Sequence, residues 1–472
     1  MVGIKAAGVA VAALAALVLP AKAQAVFGPQ IRAGAARVEI TPSLKKYGPV
    51  YMAGFGHNRI ATDIHDDLYA RCLALSAGGQ TVVICGVDSI GLFADDVEKI
   101  REEVKKRAAA KTKGGAGGLS VVVAATHDHQ APDTMGLWGP SEGQSGINEA
   151  YNSFVVERVA EAAVNAVRHM TLAVIRLGQA HPSELDGMIH DDRPPEVHDA
   201  GVIVLEARRP NGDSIGTLVN WANHPETLGS KNTLITADYP HFLTTGLEAR
   251  LGGVAVFVNG AVGGMQSPLG AVVPDGVTGK PAPENSFLKA EVIGRNVAEI
   301  ASRAVRNGKT VNADRVDFQE SRIEIPVANQ GFQMAAKADL YKGRKKMTAG
   351  ATDTSVGLVR LWGKGTLFLE IALVPGELYP ELSVGGVERY AGADFPDAPI
   401  EPPIKKLMAP EFKMLVGLAD DEIGYIIPKA EWDEKPPYLN HASEAWYGEV
   451  NSVGPEAAPR IAQAFERLLQ QK

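Results

Sequence analysis

The sequence predicts an α/β fold, a catalytic domain built on a mixed β-sheet with flanking helices. Segments rich in Val, Ile and Leu and bounded by turn residues recur through the first half of the chain, which is typical of buried strands. Between several of them lie segments whose apolar residues recur at helical spacing. Strands that alternate with helices are the pattern of α/β domains.

Each element is predicted from such a pattern. In the first half the predicted strands are residues 36–40, 68–77, 81–88, 119–125, 172–177, 201–207, 214–221 and 254–258, and the predicted helices are 95–111 and 148–170. In the second half, which begins near Asn312, the predicted strands are 315–327 and 366–374, and a closing helix is predicted over about 458–471. The sequence contains no long flexible linker, so we expect one intertwined unit over residues 30–472.

Residues 1–25 have the pattern of a secretory signal peptide. Lys5 supplies a basic start, residues 6–19 are apolar, and Ala21-Lys22-Ala23 is a small-x-small cleavage site. The apolar run is shorter than the ~20 residues that a membrane span needs, although a retained N-terminal anchor is the alternative. We therefore expect a mature protein beginning near Gln24 that is secreted or periplasmic.

The composition is that of a compact globular protein with an acidic balance. Of the 472 residues, 45% are hydrophobic and 22% are charged, and the formal net charge is −8. Nucleic-acid-binding proteins are typically basic, so nothing in the charge favours nucleic acid as the partner.

The two cysteines, Cys72 and Cys85, lie symmetrically about Gly78-Gly79. If the two glycines form a two-residue hairpin turn, the sulfurs face each other across the paired strands. An oxidising compartment favours a disulfide, whereas directly opposed strand positions are an awkward geometry for one. A disulfide and two buried thiols therefore both remain open.

The strongest chemical signal is the segment THDHQAP, which follows the apolar strand at 119–125. His127 and His129 are two residues apart at the end of a strand, so both rings point to the same side. Neutral imidazole binds zinc, so both rings could bind one metal, or one could bind while the other transfers protons beside it. The alternative is a pair of loop histidines bonded to backbone carbonyls.

Two further strands end in a residue that could bind a metal. His224 follows the strand at 214–221, and Glu377 follows the strand at 366–374 after a Pro-Gly turn. With His127 they form one pattern, three ligands at strand ends with a fourth position open to water, as in catalytic zinc sites. Polar groups at strand ends are also where α/β active sites gather.

The sequence resembles the neutral, non-lysosomal ceramidases. The resemblance is carried by THDHQAP, NWANHPETL with NTLITADYP, ALVPGE and GLADDEIGYIIP, in that order, and by IHDDLYARCLAL earlier in the chain. It extends from about residue 37 to the C-terminus and implies the family's catalytic domain, without its C-terminal immunoglobulin-like domain. It also implies a Zn²⁺ site, whose ligands would be His127, His224, Glu377 and Tyr425.

Zinc chemistry also calls for a proton carrier, and His129, two residues from a ligand and with a reference pKa of about 6.5, would be the acid-base partner of a zinc-activated water. The resemblance implies roles for two more residues: Arg193 would line the pocket, and Ser267 would contact the substrate or an oxyanion. The chain departs from the family at its G-D-x-S-P-N block, because Met265 and Leu269 stand where the family has aspartate and asparagine. This departure removes the expected neighbours of Ser267 and puts ceramide itself in doubt as the substrate.

The function implied is a secreted zinc-dependent amidohydrolase acting on an N-acyl sphingosine or a related N-acyl lipid. Such a substrate implies transient contact with a membrane surface. The alternatives are a zinc hydrolase of other specificity, such as an esterase or a deacylase of cell-envelope amides, and a metal-free exported binding protein on the same fold. A metallo-β-lactamase is excluded, because its H-x-H-x-D-H signature would need Asp-His where this chain has Ala131-Pro132.

Overall fold

A computed structural model describes residues 1–3, 31–109 and 118–470. The predicted signal peptide, apart from its first three residues, lies outside these ranges. Across the ranges described, no helix combines the length and the apolarity needed to cross a membrane.

The strands are listed here in chain order. The first six are β1 (Arg32–Glu39), β2 (Asp63–Ile64), β3 (Tyr69–Ala77), β4 (Gln80–Val87), β5 (Leu119–Ala125) and β6 (Thr171–Leu172). The next six are β7 (Val174–Ala180), β8 (Val202–Arg208), β9 (Ser214–Trp221), β10 (Leu234–Ile235), β11 (Val254–Asn259) and β12 (Lys309–Val311). The last six are β13 (Arg315–Pro326), β14 (Ala351–Gly363), β15 (Thr366–Leu373), β16 (Glu377–Leu378), β17 (Phe412–Val416) and β18 (Tyr425–Ile426).

The α-helices alternate with these strands. They are α1 (Leu44–Tyr47), α2 (Ala94–Ala109), α3 (Glu149–Arg168), α4 (Tyr239–Leu251), α5 (Phe287–Arg306), α6 (Gln330–Lys337), α7 (Pro380–Val384), α8 (Ile404–Leu407) and α9 (Ala457–Gln470). The predicted α/β class is therefore confirmed. The predicted strands at 119–125 and 214–221 have the observed bounds, whereas α4, α5 and β14 were not predicted.

The strands form three large sheets around one core. Their strand orders are β5-β4-β3-β1-β6, β11-β9-β8-β7-β12 and β13-β14-β15-β17. One hydrophobic cluster includes side chains from all three sheets, for example Leu73, Leu218 and Leu369. Helices cover the outer faces: α2 and α3 pack on the first sheet, α4 and α5 on the second, and α9 on the third.

Each large sheet is antiparallel except for one parallel pair, which makes all three sheets mixed. The parallel pairs are β4 with β5, β9 with β11, and β15 with β17. Parallel neighbours end at the same edge of a sheet, where polar side chains can collect without disturbing the core. The loops after these six strands supply the site described below.

The hairpin of β3 and β4 turns through Gly78 and Gly79, both of which have positive φ (64° and 86°). Two consecutive residues at positive φ are what a tight two-residue hairpin turn demands, and glycine adopts them without steric cost. The register pairs Cys72 with Cys85 as the symmetry predicts. The two residues form a disulfide, which decides between the alternatives left open by the sequence.

Candidate metal centre and cavity

His127 stands two residues past the end of β5 in an unusual backbone conformation. Its φ is +69°, in the left-handed region that non-glycine residues rarely adopt. The backbone nitrogens of His127 and Asp128 both donate to the carbonyl of Ser89, at 3.0 Å each. The ring nitrogen Nδ1 lies 2.8 Å from the carbonyl oxygen of Ile90, so Nε2 is the nitrogen left to face the site.

His224 repeats this arrangement at the end of β9. Its ring is 1% exposed, and its Nδ1 lies 2.8 Å from the carbonyl oxygen of Gln266. In both histidines, therefore, Nδ1 pairs with a backbone carbonyl in the loop after the adjacent parallel strand, which fixes the ring. Nε2 is left to face the site.

Glu377 brings the two histidines together. Its Oε2 lies 3.2 Å from Nε2 of His127 and 3.1 Å from Nε2 of His224. Two side chains from loops that follow strands of the first and second sheets thus meet a third at the start of β16, as the pattern of strand ends predicts.

The electrostatics of this cluster favour a cation. Burial acts to raise the pKa of Glu377, but the charges and hydrogen bonds of His127 and His224 outweigh it and lower that pKa. Burial acts to lower the pKa of His224. The hydrogen bond to Glu377 and the charge of Glu226 outweigh this effect and raise that pKa above its usual value. Surroundings that hold a proton on a buried imidazole also attract a metal ion.

His129 lies beside the cluster with its ring centroid 4.8 Å from that of His127 and 5.3 Å from that of His224. Donor nitrogens of the three histidines lie within 4.8 Å of one another, so the group could bind a metal. Burial, followed by the charges of the other two histidines, lowers the pKa of His129 well below its usual range. His129 is therefore a neutral imidazole at neutral pH.

Tyr425 begins β18 and is the register partner of Glu377 in the parallel pair β16–β18. Its hydroxyl donates to the sulfur of Met265 at 3.3 Å. Burial and the charge of Glu377 raise the pKa of Tyr425 well above its usual range. The side chain is consequently a neutral phenol unless a cation beside it stabilises the phenolate.

Three consecutive residues after β11 each contact a different residue of the site. Met265 accepts the Tyr425 hydroxyl, and the carbonyl of Gln266 pairs with His224. The hydroxyl of Ser267 donates to Oε1 of Glu226, two residues past His224. The block that departs from the ceramidase pattern is therefore part of the site's framework.

A cavity of about 640 Å³ opens on these residues. His127, His129, Glu226, Glu377 and Tyr425 lie close together and line one part of it, called here its polar end. Further polar residues also line the cavity, among them His57, Ser230, Glu422 and Asn451. Much of the remaining wall is apolar, with Phe55, Ile90, Phe93, Met135, Leu137, Trp138, Phe332 and Met347. A pocket that is apolar along its wall and polar at one end suits a molecule with a long hydrocarbon part and one reactive polar group.

The structure places Arg193 elsewhere. It is 3% exposed and is not among the residues lining the cavity. Both of its terminal nitrogens lie 2.8 Å from the carboxylate of Glu449, and one of them also donates to the carbonyl of Glu431 at 2.7 Å. These contacts are those of a buried structural ion pair, so the geometry does not bring Arg193 to the reacting group.

Two acidic residues of the cavity were not identified by the sequence analysis. Glu226 contacts His129 and Ser267, and Glu422, three residues before Tyr425, is 2% exposed with Oε2 unbonded to any described residue. Their spacing of two or three residues from a predicted ligand is a signal that could have found them. Acidic residues are common in loops, however, and the sequence alone gives them no distinguishing pattern.

The donor set fits a zinc ion. Zinc in proteins prefers imidazole nitrogens and carboxylate oxygens, and the histidines that bind it usually make a second hydrogen bond through the other ring nitrogen. The pairs formed by Nδ1 of His127 and of His224 with backbone carbonyls have this arrangement. His127, His224 and Glu377 therefore supply three fitting ligands, with Tyr425 beside Glu377.

Comparison with known proteins places the fold. No protein-family model matches the sequence, and no curated protein matches it. The chain is similar to the crystal structure of neutral ceramidase from Pseudomonas aeruginosa, with a TM-score of 0.69 and 16% sequence identity over 94% of this chain and 74% of that one. It is equally similar to a ceramidase complexed with C2, with a TM-score of 0.69 and 16% identity over 94% and 75% of the two chains. The resemblance to neutral ceramidases is thus confirmed for the fold.

Proposed function

We propose that this protein is a secreted zinc-dependent amidohydrolase of the neutral ceramidase type, which cleaves the amide bond of an N-acyl sphingosine or a related N-acyl lipid. The observation that carries the proposal is the meeting of His127 and His224 Nε2 at Glu377 Oε2, at the polar end of a largely apolar cavity. The ceramidase fold supports the same reaction class.

The residues of the site divide the chemistry between them. His127, His224, Glu377 and Tyr425 would hold the zinc ion, which when bound lowers the pKa of water and polarises a carbonyl oxygen. His129, a neutral imidazole beside them, takes a proton from the attacking water and delivers it to the nitrogen of the leaving amine. The apolar wall holds the acyl chain so that the amide carbonyl lies at the polar end.

The test combines metal analysis with hydrolysis assays. Purified protein is expected to contain one zinc ion per chain and to release amine from N-acyl sphingosines faster than from short amides. His127→Ala and His224→Ala should lose the zinc and reduce kcat/KM by about 10³-fold or more, while His169→Ala, an exposed histidine at the end of α3, should change neither.

Three results would contradict this proposal. Faster hydrolysis of esters or of short amides would assign a zinc hydrolase of other specificity. Protein purified without chelator that contains no zinc would favour the metal-free binding protein. Full activity in His127→Ala would exclude the mechanism.

A further inference from the structure

Glu226 is a buried acidic residue of the cavity whose contacts the proposed mechanism does not use. It lies in the loop after β9, two residues past His224, and is 2% exposed. Its two carboxylate oxygens have different partners: Oε1 accepts a hydrogen bond from the hydroxyl of Ser267, and Oε2 lies 3.3 Å from Nδ1 of His129. A single buried carboxylate thus joins Ser267 to His129.

Hydrogen bonds fix the backbone of His129 at both its nitrogen and its carbonyl. Its nitrogen donates to the carbonyl of Pro225 at 3.0 Å, which attaches it to the residue before Glu226. Its carbonyl accepts from the guanidinium of Arg59, which also donates to the carbonyl of Ala53. The main chain of His129 therefore has little freedom, and the orientation of the ring depends on the groups that surround it.

The 3.3 Å contact is a charge-pair distance without the alignment of a hydrogen bond, and the backbone of Gly54 is a second hydrogen-bonding neighbour of the ring. Contacts of this kind in unliganded sites commonly shorten when substrate binds. A carboxylate only accepts hydrogen bonds, so a pairing of His129 with Glu226 requires a proton on the ring nitrogen that faces it. Pairing with Glu226 thus places that proton on Nδ1 and leaves Nε2 with the lone pair that a proton acceptor needs.

We propose that Glu226 is a positioning residue for His129, and that Ser267 acts on the site only through Glu226. The hydroxyl of Ser267 is already committed, since it donates to Glu226 and accepts from the backbone nitrogen of Leu269 at 3.0 Å. These two contacts hold the Glu226 carboxylate in place. Ser267 is thereby assigned a role that requires no contact with the substrate, unlike the role expected from the resemblance. The inference rests on the proposed function only for the part His129 plays in turnover.

The experiment uses zinc-loaded full-length protein with ¹⁵N-labelled histidine. The ring ¹⁵N shifts, assigned by comparison with His129→Ala, report which nitrogen of His129 carries the proton. In the native protein the proton is expected on Nδ1. In Glu226→Ala the signal should move toward the other tautomer, and kcat should fall about 10- to 100-fold with KM and zinc content unchanged.

Three further variants make the test specific. Glu226→Gln keeps an oxygen that can accept from Nδ1 and should lose less activity than Glu226→Ala. Ser267→Ala should lower kcat less than Glu226→Ala does, with the same direction of change in the His129 shifts. Glu206→Gln, which alters a buried carboxylate of β8 outside the cavity, should leave the shifts and the activity as in the native protein.

Two results would overturn the inference. Loss of zinc in Glu226→Ala would make Glu226 a metal ligand, and unchanged His129 shifts in that variant would remove its positioning role. The tautomer measurement does not depend on turnover. If the native protein does not hydrolyse amides, the proposed function is contradicted. The His129 shifts in Glu226→Ala still decide whether Glu226 positions His129.

Discussion

Glu377 and Tyr425 face each other in register across the two-residue parallel strands β16 and β18. The pairing sets the carboxylate beside the phenol ring, and that ring packs edge-on against Tyr379 and Tyr447, with centroids 5.9 Å away in each case. The position of Tyr425 is thus determined by backbone pairing and aromatic packing, independently of any metal.

Removing the hydroxyl of Tyr425 should therefore test its part in metal binding with little effect on the stability of the fold. Tyr425→Phe retains the ring packing and loses one hydrogen bond to a weak sulfur acceptor, so its free energy of unfolding should fall by less than about 1 kcal/mol. If the oxygen binds zinc, the Kd for zinc in competition with a chelator should rise about 10-fold or more. An unchanged Kd would remove Tyr425 from the ligand set.

Gly54 packs against the ring of His129, and its substitution should displace that ring. Gly54 has a φ of +93°, and a Cβ there would lie 2.4 Å from Cγ and Nδ1 of His129. We expect Gly54→Ala to lower kcat at least about 10-fold while zinc remains bound, as zinc analysis and steady-state kinetics would measure. Gly56→Ala is the matched control, because a Cβ at that position meets no atom within 4 Å. Equal activity in the two variants would contradict the expectation.

The apolar wall should select for long acyl chains. Phe332 in α6 lines the cavity, and Phe332→Glu would place a charge in the wall proposed to hold the hydrocarbon chain. KM for a long-chain amide should rise about 10-fold or more, and KM for a short-chain amide should change little. Met334→Glu, on the same helix but 63% exposed and absent from the wall, should leave both values unchanged. A rise that is the same for both chain lengths would argue against an acyl site at this wall.

The Cys72–Cys85 disulfide should stabilise the protein without affecting catalysis. The bond joins residues 13 positions apart, and closing a loop of that size lowers the entropy of the unfolded chain by the equivalent of about 2–4 kcal/mol. The Cys72→Ala/Cys85→Ala variant should lose that amount in urea unfolding. Its kcat should be unchanged, because neither cysteine lines the cavity. Equal urea midpoints for native protein with and without reductant would contradict the prediction.

Asp191 should make stability decrease as pH rises. Burial raises its pKa to about 8, so the folded state binds the proton more tightly than the unfolded chain does. Stability is then greatest below the ordinary aspartate pKa of about 4 and is lost as pH rises toward 8, by up to about 1.4 kcal/mol per pH unit.

The variant Asp191→Asn isolates this effect. Its amide oxygen can still accept from the backbone nitrogen of Arg193, and it carries no charge at any pH. Compared with the native protein, it should be about equal in stability at pH 4, and the difference should widen as pH rises, to at least about 1 kcal/mol in its favour at pH 8. A difference that does not vary with pH would show that the carboxyl titrates normally.

Strand ends could be predicted from the sequence because they depend on local patterns. The apolar run before His127 and the Pro-Gly turn before Glu377 mark where each strand stops. The meeting of these residues is a tertiary property, and it was predicted from the resemblance and from the general tendency of polar groups to gather at strand ends.

Contacts formed by side chains distant in sequence could not be predicted in this way. Nothing near Arg193 in the sequence indicates that Glu449 neutralises it, and nothing near Ser267 indicates Glu226 as its partner. The same limit applies to the sheets: a mixed sheet was predicted, whereas the division into three large sheets is set by pairings between strands that are distant in sequence.

The distribution of the candidate ligands over different sheets has a consequence for how the protein folds. His224 and Glu377 are 153 residues apart in sequence and belong to different sheets, so no single sheet contains a complete binding site. A ligand that bridges them binds only chains in which the sheets have already docked, and its binding energy then opposes the separation of any one of them. Affinity for metal would therefore be acquired late in assembly, and a fragment ending after β11 would keep the three histidines but lack the carboxylate of Glu377.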